Sequence, residues 1–141
     1  MNIEQQIQSY IDSQGGSRRT DMLELHTRIL NQFPGLRLWY LDGKDGNDRI
    51  VSNPNIGYGS QTMKYANGKT KEFYRVGLSA NTTGISVYIM SIADKNYLKE
   101  TYEKKIGKAN VSGYCIKFKT VKDIHLDTLE EAIAYGLLQS K

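Results

Sequence analysis

The sequence predicts an α+β fold: an antiparallel β-sheet with an N-terminal helix pair, one middle helix and a C-terminal helix packed on it. Three observations predict it. Apolar residues recur at helical spacing near both ends of the chain. Through the middle they alternate with a period of two. The alternating stretches follow one another through short turns and are not interleaved with helices, which is the pattern of hairpins and not of parallel crossovers.

Ile3, Ile7 and Ile11, with Tyr10 beside them, predict a helix over 2–13 that Gly15-Gly16 ends. Met22, Leu25, Ile29 and Phe33, flanked by Leu30, predict a second over 19–33, stopped by Pro34-Gly35. Residues 36–41 (LRLWYL) read as a strand, and 42–55, rich in Asp, Gly and Asn, as a loop or a hairpin around a turn. Residues 56–65 and 71–79 read as two strands joined at Asn67-Gly68, since both residues tolerate the positive φ of a type I′ turn. A turn over 81–84 leads to a strand over 84–90, with Ile85, Val87 and Ile89 on one face and Ser86, Tyr88 and Met90 on the other.

Asp94 is placed to cap a helix over 94–105, with Tyr97, Leu98, Thr101 and Tyr102 facing inward. Residues 106–113 read as a loop. Residues 114–119 read as a strand, with Tyr114, Ile116 and Phe118 on one face and Cys115, Lys117 and Lys119 on the other. Asp127 opens the last helix, Glu130 is its capping-box partner, and Leu129, Ala132, Ile133 and Leu137 form its stripe. The 141 residues suit a single domain, 1–141, without internal repeats.

Ten tyrosines suit a thin domain, because one end of the side chain packs while the other reaches water. Cys115 is the sole cysteine, so an intrachain disulfide is excluded and a reducing compartment is expected. The polar N-terminus lacks the pattern of a secretory signal, and no apolar run approaches the ~20 residues of a membrane span. A cytoplasmic protein without a membrane partner is therefore expected. The net charge of +4 is mild, although basic residues cluster somewhat between Lys95 and Lys122; the expected partner is a small ligand or a protein, not nucleic acid.

Several residue groups invite chemistry. Gly107-Lys108 with Ser112-Gly113 forms a glycine-containing loop whose backbone N–H groups can cradle a phosphate, although the P-loop spacing is absent. Cys115 shares its strand face with Lys117 and Lys119, and cations lower a thiol pKa; a small semi-buried strand residue is the simpler account. His26 with Asp21 and Glu24, and His125 between Asp123 and Asp127, are the nearest approach to a metal site, but no metal ligand set is assigned. The acidic loop 42–48 fails the EF-hand spacing, because Asn53 stands at position twelve. Tyr58 and Tyr65, with Tyr74 and Tyr88, fall on the predicted sheet. There, aromatics beside lysines either stack a ligand or pack under helices. No catalytic constellation emerges.

Seven short segments in order resemble the YdhG-like family, a domain of unknown function. They are Ile56-Gly57-Tyr58-Gly59, Lys64-Tyr65-Ala66-Asn67-Gly68, Val76-Gly77-Leu78-Ser79, the run from Ser86 to Met90, Ile106-Gly107-Lys108, the run from Cys115 to Lys119, and Asp123-Ile124-His125-Leu126. The helix pair around Ser17-Arg18-Arg19 also looks like the family's opening, so the resemblance covers nearly the whole chain. It implies a compact α+β domain. Some members are likened in shape to frataxin, an iron chaperone, and iron is the one cofactor the resemblance suggests; none is expected from the residues themselves. Two loops depart from the family's pattern. Ala80-Asn81-Thr82 stands where a proline and basic residues are usual, and the run from Ala109 to Tyr114 where further lysines are. Both departures remove positive charge.

The expected function is a non-enzymatic ligand-binding or interaction module. A frataxin-like iron-binding chaperone and a small-anion or phosphate binder are the alternatives. An enzyme acting through Lys108 or Cys115 ranks last.

Overall fold

The structure, a computed structural model, describes residues 1–90 and 92–138. Helix α1 (Ile3–Asp12) opens on a reciprocal cap: Gln5 N donates to Asn2 Oδ1 at 2.8 Å and Asn2 N donates to Gln5 Oε1 at 3.0 Å. Helix α2 (Gly16–Gln32) follows, its stripe of Met22, Leu25 and Ile29 buried. Strands β1 (Leu38–Leu41), β2 (Asn55–Tyr58), β3 (Gln61–Lys64), β4 (Thr70–Phe73), β5 (Val76–Asn81) and β6 (Gly84–Ile89) occupy the middle. Then come α3 (Tyr97–Tyr102), β7 (Asn110–Val111), β8 (Cys115–Phe118), a 3₁₀ turn (Val121–Asp123) and α4 (Leu126–Leu138).

Six strands make one sheet in the order β1-β2-β5-β6-β8-β7, antiparallel at every pairing, while β3 and β4 form a separate two-stranded ribbon. The fold class is the α+β arrangement expected from the period-two hairpins. Period-two alternation and this register put Leu38, Tyr40, Ile56, Tyr58, Val76, Leu78, Ala80, Ile85, Val87, Ile89, Ile116 and Phe118 on one face. There they meet Ile7 and Ile11 of α1, Leu25 and Ile29 of α2, Leu98 of α3, and Leu129, Ile133 and Leu137 of α4 in one apolar cluster. Each such side chain contributes about 1.5–3 kcal/mol by leaving water. Helix α4 lies so close that a Cβ on Gly136 would stand 2.7 Å from Ile89 Cγ2.

Two side chains tie the helix layer into the sheet. Tyr10 of α1 inserts its hydroxyl where the β2–β5 ladder opens: it accepts from Ala80 N at 2.8 Å and donates to Pro54 O at 3.2 Å. Glu130 of α4 pairs with Arg28 of α2 at 2.9 Å and accepts from Gln32.

Several expectations need correction. The two long strands, 56–65 and 71–79, are each broken. Gly59 takes φ +78° and turns the chain out of β2, and the opposite strand breaks at Tyr74-Arg75. Asn67-Gly68 lies in a turn, but not as a type I′ pair: Gly68 takes φ +84° while Asn67 keeps a negative φ, and the turn closes the outlying ribbon. The segment 106–113 contains β7, paired through Asn110↔Lys117 and Val111↔Ile116. Asp94 caps no helix. Its Oδ1 accepts from Asn96 N in a local turn, and α3 begins at Tyr97. Helix α4 starts at Leu126, one residue before Asp127, and Glu130 is engaged with α2 instead of a cap. Tyr114 precedes β8 and stacks on Tyr88 at 6.1 Å, leaving Ile116 and Phe118 to the core.

Candidate functional site

The sheet face away from the helix stripes is built in rows. Trp39, Gly57, Gly77, Tyr88 and Cys115 lie side by side across five strands. Ser79, Ser86, Lys117 and Asn110 form the next row. The glycines of the first row are obligatory, because the Tyr74 ring lies across them. A Cβ on Gly57 would stand 2.6 Å from Tyr74 Cδ2, and one on Gly77 would stand 2.7 Å from Tyr74 Cε1. Phe73 stacks on Tyr74 at 4.1 Å, and Trp39 meets Phe73 edge-on.

Beyond the second row lies an open groove of about 500 Å³, between the β5–β6 turn and the β7–β8 edge. Lys108, Lys117 and Lys119 line it together with Asn81, Thr83 and Asn110, and no carboxylate does. The cross-strand pairing Asn110↔Lys117 and the turn bond from Gly84 N to Asn81 Oδ1 at 3.1 Å hold the polar walls in place. Ser86 also lines the groove. It is fully buried, and its hydroxyl is engaged with the Tyr88 hydroxyl and the Cys115 thiol, lowering the pKa of each against the effect of burial.

The residues singled out by sequence fall in different places. Lys108 reaches the groove, but the loop beside it is no phosphate cradle. Lys108 N donates to Asp123 O at 2.9 Å, Ser112 N to Cys115 O at 2.9 Å, and Ala109 N to Gly107 O at 3.0 Å, so these amides are spent. Gly107 takes φ +98° where it passes Asp123 O, and Gly113 packs beside Lys95 O. Cys115 is buried beside Tyr88. Burial pushes its thiol pKa up, and nearby Lys117 offsets this only in part. Tyr58 is on the helix side, fully buried, with its hydroxyl 2.6 Å from His26 Nδ1. Tyr65 stands exposed on the outlying ribbon. Tyr58, Tyr65 and the Lys108 groove therefore do not share a site.

Burial raises the pKa of Tyr74 and Tyr88, and their mutual proximity to Cys115 and Tyr114 adds to the effect. His26 is shifted down by burial. The carboxylates near it are otherwise engaged: Asp21 accepts from Val121 N at 3.2 Å and Glu24 pairs with Arg28 at 3.0 Å. In the acidic loop, Asp42 accepts from Lys44 N, and Asp45 accepts from Asn47 N and Arg49 N. Among the described residues, no three His, Cys, Asp or Glu side chains gather as potential metal ligands. None of the described helices is long and apolar enough to cross a membrane.

Sequence reasoning missed Asn81, Thr83 and Asn110 as groove residues. The one available signal was the placement of Lys117 and Lys119 on the same strand face. No protein-family model, curated protein or solved structure matches this chain.

Proposed function

We propose that this chain is a non-enzymatic binding module of the YdhG-like type and that its groove takes a phosphate-type anion. One observation carries the proposal: three lysines, Lys108, Lys117 and Lys119, line a single groove that has no acidic residue. Like charges gathered in one cleft repel one another and raise the local positive potential, and a bound anion relieves both. The anion is held by the lysine ammonium groups and the Asn81, Thr83 and Asn110 side chains, since the amides of Lys108, Ala109 and Ser112 are already bonded. The state of Cys115 supports the non-enzymatic part, because burial favours the thiol over the nucleophilic thiolate.

The test is a thermal melt in phosphate against sodium chloride at equal ionic strength. Phosphate is expected to raise the melting temperature by binding the native state. The Lys117→Gln/Lys119→Gln double variant is expected to lose that excess. Equal melting temperatures in the two salts would remove the proposal.

A further inference from the structure

We infer that the anion taken by this groove is the phosphate of a nucleotide unit, whose planar ring lies against the Tyr88–Tyr114 pair. The inference rests on the anion reading above and adds the second half of the ligand.

Two features place that half. The first is the aromatic ledge. Tyr88 and Tyr114 lie nearly parallel, 18° between ring planes and 6.1 Å between centroids, and Tyr114 is 55% exposed. An exposed aromatic face accepts a base without regard to its identity, because every base offers a π surface. Tyr74 and Phe73 already cover the neighbouring part of the row, over Gly57 and Gly77, so the free end of the aromatic row is at Tyr88 and Tyr114.

The second is spacing. Tyr88 pairs with Cys115, and Ser86 pairs with Lys117 one row along. Rows on one face are two residues apart, or about 7 Å at the strand rise. A ring on the ledge thus stands beside the lysine row at the reach of a single nucleotide. Lys119 continues the line of positive charge along the same face.

The ring and phosphate belong either to a free nucleotide or to a single strand, and titrations by heteronuclear NMR separate the two. Inorganic phosphate, adenosine monophosphate and a ten-residue oligothymidylate are compared at one ionic strength. The nucleotide or the oligonucleotide is expected to bind roughly tenfold or more tightly than phosphate, the increment of one stacked base. Tyr114→Ala is expected to remove that increment, Tyr114→Phe to keep it, and Lys117→Gln to weaken all three ligands. An oligonucleotide that exceeds the mononucleotide, with a steeper salt dependence, identifies a strand; equal affinities identify a free nucleotide. If neither exceeds phosphate, or if Tyr114→Ala binds as tightly as the parent, the base contact is wrong while the anion site stands. If phosphate, nucleotide and oligonucleotide all fail to shift residues 81–86, 108–110 and 117–119, both are wrong.

Discussion

At the scale of single residues, the helix side and the open side of the sheet treat their polar groups differently. On the helix side, Tyr58 is fully buried yet satisfied, its hydroxyl 2.6 Å from His26 Nδ1. Burial holds the His26 pKa below its usual 6.5. Above that pH the imidazole is neutral in both the folded and unfolded chain. As pH falls below 6.5, the unfolded chain takes up the proton first, so stability drops until the folded imidazole also protonates. The urea midpoint is therefore expected to fall between pH 7.5 and 5.5, and His26→Gln is expected to flatten that part of the profile. An unchanged profile in the variant would show that other groups set it. On the open side, burial pushes the Cys115 thiol up, and nearby Lys117 and the Ser86 hydroxyl offset this only in part.

At the scale of elements, the Tyr74 ring over β2 and β5 sets the residue type beneath it. Gly77→Ala would place a Cβ 2.7–2.8 Å from three Tyr74 ring and hydroxyl atoms. Overpacking of this kind costs roughly 1–3 kcal/mol. In a double-mutant cycle, Tyr74→Ala is expected to cancel most of the Gly77→Ala penalty, and additive losses would mean that the two positions do not interact. The same pair of elements shows what the sequence can and cannot reveal. Ile85, Val87 and Ile89 alternate cleanly, and the stripes of α1, α2 and α4 recur at helical spacing, so their faces are legible from spacing alone. The breaks at Gly59 and Tyr74-Arg75 are not, because an alternating pattern runs through them and only the tertiary position of the Tyr74 ring demands a bend. Asp94 and Asp127 mimic helix caps, because a carboxylate serves a local turn or a first helical turn equally well. Strand β7, with two residues, is too short to show a period.

The candidate site was legible only in fragments for a related reason. Lys108 stood out beside Gly107, and Lys117 and Lys119 shared a strand face with Cys115. Asn81 and Thr83 come from a turn some thirty residues away in sequence, and only the β6–β8 register brings them to the lysines. The alternation puts Tyr114 on the face of Ile116 and Phe118 because the strand reads as beginning one residue early; its ring instead extends the aromatic row on the open side.

At the scale of the whole molecule, the layers are unequal. Strands β5 and β6 sit at the centre of the sheet under helices α2 and α4, whereas β3 and β4 pair only with each other. Opening free energy follows packing, so hydrogen exchange is expected to be slowest over 76–80 and 85–89 and to approach global unfolding there. Residues 62–72 are expected to exchange through a local opening of far lower free energy. Uniform protection across both regions would mean that the ribbon is locked to the sheet more firmly than its exposed residues imply.

The phenol of Tyr10 carries a consequence for how the chain is made. Its two partners, Pro54 O and Ala80, lie 44 and 70 residues downstream. During synthesis α2 and β1 become available to α1 early, but the anchor of its Tyr10 hydroxyl does not exist until the ribosome has passed residue 80 and β5 has found β2. Helix α1 is thus among the last elements to be fully secured, held loosely by its neighbours in sequence until a strand made long after it arrives to lock the phenol in place.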